Sequence, residues 1–283
     1  MKTERRGRQY FFGSVFAAWN VLLFLGPLAI LCGYGFFRYE EYRIIRDFTL
    51  DNYIKIFSSE IFYLSLFNSL KLGLISAAVI VPLSFLTAYF IYTRIRPQRQ
   101  KFVVLILLLP LLTNVLLRSY SWSLILSDSG VVNWTLARLG LISEPLPLLF
   151  SEWGILIGLV SYISPMVILI FYFGLTRLKE NTLQASLDLG AGEFLTVVRV
   201  VLPQVKKFIF MGSLLTFMLS IADYVHCTVL GGGKIYTYSI NIVDAFNIND
   251  IPQASALGMI MLFVIMLLIF GIMSFVRIGD ADE

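Results

Sequence analysis

The sequence contains few charged side chains. Only 14% of its 283 residues are charged, whereas 58% are hydrophobic and 15% are aromatic. About a quarter of the residues in an ordinary soluble domain are charged, because polar groups must cover much of its surface. This composition excludes a soluble enzyme and a disordered chain, and it predicts an integral membrane protein.

Cysteine and histidine are scarce as well. Cys32 and Cys227 both lie in apolar segments, which excludes a disulfide framework and indicates a packing role. The single histidine, His226, excludes a zinc site built from two histidines on one helix, and no catalytic triad is expected around it. We interpret the adjacent His226 and Cys227 as packing residues, so no metal ligand and no catalytic residue is predicted.

A phosphate-binding loop is also missing. The run Gly231-Gly232-Gly233-Lys234 lacks the glycine spacing and the hydroxyl residue with which such loops hold phosphates and magnesium. We therefore expect that this chain binds no ATP itself, and we expect no cofactor on it.

Six apolar segments are long enough to cross a bilayer as helices, which requires about 20 residues each. The continuous apolar runs differ from the alternating pattern of a membrane β-barrel. The first run is also longer than the apolar core of a signal peptide. The predicted spans are residues 10–37, 61–92, 102–126, 153–176, 208–230 and 255–276.

The basic residues of the loops predict the orientation of these spans, because cytoplasmic loops are enriched in Lys and Arg. Fourteen lie on the side of the two termini, and six lie on the other side. Both termini are therefore predicted in the cytoplasm, with the chain as a multi-pass membrane protein. The positive net charge of +4 is a signal of topology, and no nucleic-acid partner is expected.

The loops predicted outside are of moderate length. Residues 38–60 alternate charges with aromatic and aliphatic side chains, which indicates an amphipathic segment at the membrane interface. Residues 127–152 are predicted to carry a short helix. Residues 231–254 open with three glycines, which predict a flexible turn.

The cytoplasmic loop at residues 177–207 is too long for a passive connection. Helical periodicity on both sides of Gly190 predicts two short helices joined at that glycine, which tolerates a positive φ. Pro203 is expected to break or kink the entry to the fifth span. A helix–Gly–helix element lying on the membrane surface would be rigid enough to transmit force.

This loop resembles the cytoplasmic signature of the transmembrane subunits of ATP-binding-cassette importers. That signature is Glu-Ala-Ala, three residues, Gly, nine residues and Ile-x-Leu-Pro. Here the matching positions are Gln184-Ala185-Ser186, then Gly190 with Ala191, and Val200-Val201-Leu202-Pro203. The spacing matches without a gap, and the residue types differ at Gln184 and Ser186. The resemblance implies that cytoplasmic ATPase subunits, as a dimer that binds ATP and Mg²⁺, dock on residues 177–207, most closely near Gln184 to Gly190. The docking residues of this coupling loop would be Gln184, Ala185, Ser186, Asp188, Gly190, Ala191, Leu202 and Pro203.

The wider pattern is similar to the spermidine and putrescine permeases of that superfamily, over about residues 48–270. The similar stretches are Phe48-Thr49-Leu50-Asp51-Asn52-Tyr53, Leu109-Pro110-Leu111-Leu112-Thr113-Asn114, Arg118-Ser119-Tyr120 and Leu187-Asp188-Leu189-Gly190-Ala191. The resemblance implies an ATP-driven importer of polyamines. Its further partners would be a second, similar permease and an extracytoplasmic solute-binding protein.

Three ionisable side chains fall inside predicted spans, where charge is costly and often marks a solute route. Lys71 is expected to extend to the outer interface. Arg118 and Asp223 share a depth in the outer third, about 22–24 Å from the cytoplasmic end of their spans. Either the two form an ion pair, or Asp223 faces a cavity and meets a cationic substrate. The two alternatives are compatible if the pair exchanges partners.

Aromatic residues accompany both charges. Tyr224 follows Asp223, while Tyr120 and Trp122 lie near Arg118. Together these five residues are the candidate substrate pathway, because a polyamine requires carboxylates for its ammonium groups and aromatic faces for cation–π contacts. The same aromatics also fit an interfacial belt.

The sequence therefore predicts an all-α membrane protein with six transmembrane helices, a helix–Gly–helix coupling loop and the type I fold of ABC importers. Its expected parts are residues 1–60 (first helix and outer amphipathic segment), 61–276 (transmembrane core) and 277–283 (cytoplasmic tail). It would be a transport subunit and no enzyme. The alternatives are the same importer class carrying Fe(III), sulfate or thiamine, and an ion-coupled secondary transporter.

Overall fold

The computed structural model describes residues 2–40, 43–178, 185, 186, 188 and 190–281. Contacts between residues divide the chain into two units. The first unit contains residues 1–62 and 241–283, and the second contains residues 63–240.

In the first unit, the first and last long helices pack against each other. Helix α1 runs over Lys2–Tyr34 and helix α12 over Ile251–Ala281, five residues beyond the predicted end of the sixth span. Asp250 caps α12, because its carboxylate accepts from the backbone N–H of Gln253 at 3.0 Å. The cytoplasmic tail predicted at residues 277–283 is therefore helical as far as Ala281.

The segment at 38–60 was predicted as amphipathic, and it contains a β-hairpin that the prediction of an all-helical chain missed. Strand β1 (Phe37–Glu40) pairs antiparallel with β2 (Arg43–Phe48), and helix α2 (Asp51–Ser58) follows. Asn52 on α2 is buried and donates to the carbonyls of Gly35 and Phe37 at 3.0 and 2.8 Å. This amide fixes the chain where it leaves α1.

The second unit contains helices and no strands among its described residues. Its elements surround a core of Leu, Ile, Val and Phe side chains centred on α7, of which Ile155, Leu159, Ile163 and Val167 are fully buried. The bounds are α3 Glu60–Arg94, α4 Pro97–Leu108, α5 Val115–Leu126, α6 Val131–Arg138, α7 Glu152–Leu175, α8 Glu193–Thr196, α9 Leu202–Ala222, α10 Val225–Val229 and α11 Tyr238–Asn247. Helix α6 confirms the short helix predicted within 127–152, whereas α11 was not predicted.

The third predicted span is not one straight helix. Helix α4 continues as a 3₁₀ turn over Leu109–Leu112, and the axis bends by 91° before α5. Pro110 lacks a backbone N–H, and Asn114 caps α5 by accepting from the N–H of Leu116 at 2.8 Å. The helix therefore ends and restarts within the segment.

The fifth predicted span is interrupted too, and Pro203 acts differently from the prediction. A π-helical turn over Val197–Val201 precedes Pro203, and Glu193–Ala222 forms one apolar helical stretch of 30 residues. The π turn accommodates a proline that cannot donate to a carbonyl four residues earlier. The break lies instead at Asp223, whose ψ of 121° is extended, before the short helix α10.

Four described helices are long and apolar enough to cross a membrane, or five if the bent pair α4–α5 counts as one span. They are α3, α7, the stretch Glu193–Ala222 and α12. Helix α1 contributes a shorter apolar stretch, Trp19–Tyr34. The six-span count therefore stays a prediction for this chain.

Candidate functional site

The predicted cytoplasmic loop turns at Gly190. This glycine has a φ of +81°, and the N–H of Ala191 donates to the carbonyl of Ser186 at 3.2 Å. A positive φ together with this backbone bond is the pattern of a glycine helix cap. The positive φ predicted for Gly190 is confirmed, while the coupling role of the loop stays a prediction.

Side-chain contacts attach this turn to the following helix and to the end of α3. The hydroxyl of Ser186 lies 2.9 Å from that of Thr196, which is buried. The guanidinium of Arg94, the last residue of α3, donates to both carboxylate oxygens of Glu193 at 2.9 Å. Both bonds come from one guanidinium nitrogen, Nη2, so this is an exposed charge-assisted contact that joins the start of α8 to the end of α3.

Beyond these attachments, the turn is open to its surroundings. Ala185, Asp188 and Gly190 are exposed, and the side chain of Phe194 is 81% exposed. Leu202 is half-buried and Pro203 is exposed at the start of α9. Gln184, Leu187 and Leu189 were part of the predicted loop and lie outside the described residues.

Further polar contacts occur at the same end of the second unit. Gln100 is buried and donates to the carbonyls of Tyr92 and Ile95 at 3.2 and 2.8 Å, which satisfies the last turn of α3. The hydroxyl of Tyr172 donates to Gln100 at 2.9 Å. The ends of three spans that the charge bias assigned to one side are therefore in contact.

The opposite end of the second unit has its own polar contacts. Lys71 pairs with Glu152 at 2.5 Å, and both side chains are about half exposed. The amide of Asn68 donates to the carbonyl of Tyr236 at 3.0 Å, and Ser69 accepts from the N–H of Tyr238 at 2.8 Å. Lys71, Glu152, Asn68 and apolar neighbours line a cavity of about 80 Å³. Lys71 thus reaches towards the end of α7 that was predicted outside.

The side chain of Arg118 forms hydrogen bonds at the interruption between α4 and α5. Its guanidinium donates to the carbonyl of Pro110, to the carbonyl of Ser161 at 3.2 Å and to the hydroxyl of Thr113 at 2.8 Å. Its Cζ atom lies 5.9 Å from the ring centre of Tyr162. All of these partners are neutral. The guanidinium therefore pairs with carbonyls that the bend leaves without a partner, and these contacts do not neutralise its charge.

Asp223 is paired with His226 at the break after α9. One carboxylate oxygen accepts from the backbone N–H of His226 at 2.8 Å, and the other accepts from the ring Nδ1 at 2.8 Å. The side chains of Asp223 and His226 are 6% and 0% exposed. Ser239 donates to the carbonyl of Asp223 at 2.7 Å. Within the described residues, Arg118 and Asp223 do not pair with each other.

Tyr162 connects the two interruptions. Its ring centre lies 5.7 Å from the ring centre of His226 and 5.9 Å from the Cζ atom of Arg118. Helix α10 packs against both α5 and α7, which brings the break at Asp223 next to the bent third span. The shared depth predicted for Arg118 and Asp223 therefore has a structural counterpart, although each charge has a different partner.

The predicted aromatics take different positions. Trp122 is half-buried and donates from Nε1 to the hydroxyl of Ser161 at 3.0 Å, whereas Tyr120 is exposed and Tyr224 is half-buried. Arg118 and Trp122 line an open cleft of about 390 Å³ together with Thr113, Asn114, Leu117, Ser121 and Ile125. This cleft brings together one charge, hydroxyls and an aromatic surface.

Sequence reasoning missed the role of His226, which it treated as a packing residue. The spacing Asp223-x-x-His226 was the available signal, because residues three apart at a helix start can share a hydrogen bond. Nothing in the sequence indicated that Tyr162, on another helix, would contact both His226 and Arg118.

Comparisons with known proteins agree with this architecture. Residues 10–280 match the family described as binding-protein-dependent transport system inner membrane component. The spermidine/putrescine transport system permease protein PotB of Escherichia coli is 27% identical over 256 residues, which cover 89% of this chain and 92% of that protein. PotC of the same organism and transport system is 26% identical over 117 residues, covering 41% of this chain and 44% of that protein.

The fold also has a counterpart among solved structures. A chain of a bacterial alginate ABC transporter, solved in complex with an alginate-bound periplasmic protein, superposes with a TM-score of 0.78. The alignment covers 95% of this chain and 93% of that chain at 18% sequence identity. At this identity, the likeness shows the fold alone.

Proposed function

We propose that this chain, because it belongs to the family of binding-protein-dependent transport system inner membrane components, carries polyamines through the membrane in an ATP-driven importer. The chain is a multi-pass permease subunit of an ABC importer, and its family is a component of membrane transport systems.

The observation that carries the mechanism is the anchored turn at Gly190. This turn is exposed. The Arg94–Glu193 pair attaches it to α3, and a continuous helix attaches it to α9. A push on the turn can therefore be transmitted to two spans at once. A dimer of cytoplasmic ATPases would dock near residues 184–191, and bind ATP and Mg²⁺ on its own surfaces. Closure of the ATPases would switch the pathway between its two orientations, so this chain provides alternating access and no bond chemistry.

The interrupted spans supply the part that could move. Irregular backbone at membrane depth is tolerated where protein buries it or where it lines a cavity, and it often marks transport sites. Here the bend at α4–α5 and the break at Asp223 are packed together. We infer that the pathway passes along this region, between this chain and a second permease.

Polyamines are the preferred cargo. The PotB proteins are similar over nearly the whole chain, and Asp223 with Tyr162 and Tyr224 supplies a carboxylate with aromatic faces. A substrate ammonium could exchange for the imidazole on Asp223 and stack on aromatic rings. The second permease is proposed to be a related chain, as the partial match to PotC suggests, and a solute-binding protein would deliver the cargo.

An anionic cargo is the second candidate, and Arg118 favours it. Its guanidinium has neutral partners among the described residues, and it lines the open cleft. A sulfate or carboxylate would pair with this charge, whereas an ammonium would be repelled.

Uptake by the whole importer, reconstituted in liposomes with its binding protein and ATPase, separates the two candidates. We expect uptake of radiolabelled spermidine that requires ATP and is lost in Asp223→Asn, while the subunits still assemble. The matched variant Asp47→Asn removes an exposed carboxylate of the β-hairpin, outside the proposed pathway, and should leave spermidine uptake unchanged. Uptake of sulfate that is lost in Arg118→Gln, with no uptake of spermidine, would reject polyamines.

A further inference from the structure

The Asp223–His226 pair has a polar atom left over. The pair is buried, yet the Nε2 atom of His226 is enclosed by protein without a hydrogen-bond partner. Whichever ring nitrogen carries the proton, this atom is an unpaired donor or acceptor. Buried polar groups in native structures are paired in the great majority, so an unpaired one calls for an explanation.

The surrounding helices enclose the imidazole tightly. Gly158 on α7 leaves the space that the ring occupies, since a Cβ there would lie 2.5 Å from His226 Cδ2 and from Leu230 Cδ1. Tyr162, one turn further along α7, lies against the ring with its centre 5.7 Å away. A cation could reach the Asp223 carboxylate only if the imidazole moved out.

The backbone at this position is built to move as a unit. Asp223 is extended, and the five-residue helix α10 that carries His226 begins directly after it. The carboxylate holds α10 at its start through the N–H and the ring of the same histidine. Breaking the contact with Asp223 would therefore release the start of α10 from the end of α9.

We propose that His226 is an internal substitute for a cation: its imidazole holds the Asp223 carboxylate closed until an ammonium group of the cargo displaces it. His226 is thus a positioning residue that sets when Asp223 is available. The inference rests on the proposed transport function, because it assumes a cationic cargo and a pathway that opens.

A native thiol can report the opening. Cys227 follows His226 in α10, is fully buried and is one of two cysteines in the chain. In the assembled importer carrying Cys32→Ser, the rate at which neutral methyl methanethiosulfonate labels Cys227 measures how often α10 opens. Assembly with the ATPase at unchanged stoichiometry shows that each variant is folded.

The first arm of the experiment tests the closed pair without any cargo. Asp223→Asn and His226→Gln should speed labelling by about tenfold or more, the range expected when a hydrogen bond to a charged group is lost. His226→Asn, whose amide nitrogen can take the position of Nδ1, should restore the slow rate. Labelling that stays slow in both Asp223→Asn and His226→Gln overturns the inference, as does equally fast labelling in His226→Asn and His226→Gln.

The second arm tests displacement by a cation. Saturating spermidine should speed the labelling of Cys227 in the chain that has both Asp223 and His226. It should have no effect on labelling in Asp223→Asn. Sodium sulfate should have no effect on labelling in either chain. If the first arm succeeds and spermidine has no effect, the internal pair stands while the cationic cargo, and with it the proposed function, fails.

Discussion

At Gly158, a missing side chain decides how two helices meet. The pattern Gly154-x-x-x-Gly158 is typical of a close helix approach, and the structure shows which atoms occupy the space beside Gly158. A Cβ at Gly158 would lie 2.5 Å from atoms of His226 and Leu230, which is too short for a real contact. This glycine therefore supports the buried pair at Asp223 from a different helix.

We predict that Gly158→Ala lowers the melting temperature of the purified importer. The added methyl overpacks a full site, which costs about 1–3 kcal/mol, while the gain in helix propensity returns at most about 1 kcal/mol. Gly258→Ala on α12 is the matched control, because nothing lies within 4 Å of its Cβ position. Thermal unfolding followed by intrinsic fluorescence measures both, and a melting temperature for Gly158→Ala at or above that of Gly258→Ala would show that the imidazole has room.

Individual charges were easier to find in the sequence than their partners. The cost of burying a charge singled out Arg118 and Asp223, and their depth followed from counting residues along a helix. Their partners depend on where the backbone breaks: the bend frees carbonyls that attract Arg118, and the extended Asp223 turns its carboxylate to His226. The ion pair between them, one of the two alternatives that the sequence left open, is therefore not formed among the described residues.

Among the elements, the turn at Gly190 followed the sequence closely. Its glycine was predicted from periodicity on both sides, and it has the positive φ that favours glycine. Gly192, two residues on, is equally exposed with an ordinary φ of −65°. The two glycines differ in backbone conformation, so they form a natural test of whether the shape of the turn matters.

We predict that Gly190→Ala weakens association with the ATPase and that Gly190→Pro abolishes it. A left-handed conformation costs a residue with a side chain about 1–2 kcal/mol, and proline cannot adopt it. Gly192→Ala should bind the ATPase normally, since neither glycine has an atom within 4 Å of its Cβ position. Co-purification from membranes measures the ratio of subunits, and a normal ratio in Gly190→Pro would remove this turn from the docking site.

The interruptions within spans could not be foreseen from apolar runs. Hydropathy averages over about 20 residues, so it passes over a 3₁₀ turn at Leu109–Leu112 and an extended residue at Asp223. Pro110 and Pro203 were both visible in the sequence. Pro110 accompanies a bend of 91°, whereas Pro203 follows a π turn inside a continuous helical stretch. Local packing decides between these outcomes, and a pattern of single residues does not contain it.

For the whole molecule, composition and apolar runs were sufficient for the class, and the resemblance of the cytoplasmic loop was needed for the family. Low charge, long apolar runs and the loop signature led to a permease of an ABC importer, and the family match supports this. The β-hairpin at Phe37–Phe48 was missed because its alternating residues also fit an amphipathic interfacial segment. Contacts across units of the chain, and contacts with partner chains, lie beyond what one sequence specifies.

The central claim is that the ATPase acts on this chain through the turn around Gly190, on the cytoplasmic side. The most direct measurement is photo-crosslinking in the assembled importer, with benzoylphenylalanine replacing Asp188 in that turn or Leu139 at the end of α6, both exposed. We predict that the probe at 188 crosslinks to the ATPase and the probe at 139 does not. A crosslink to the ATPase from 139, with none from 188, would contradict both the docking site and the orientation of the chain.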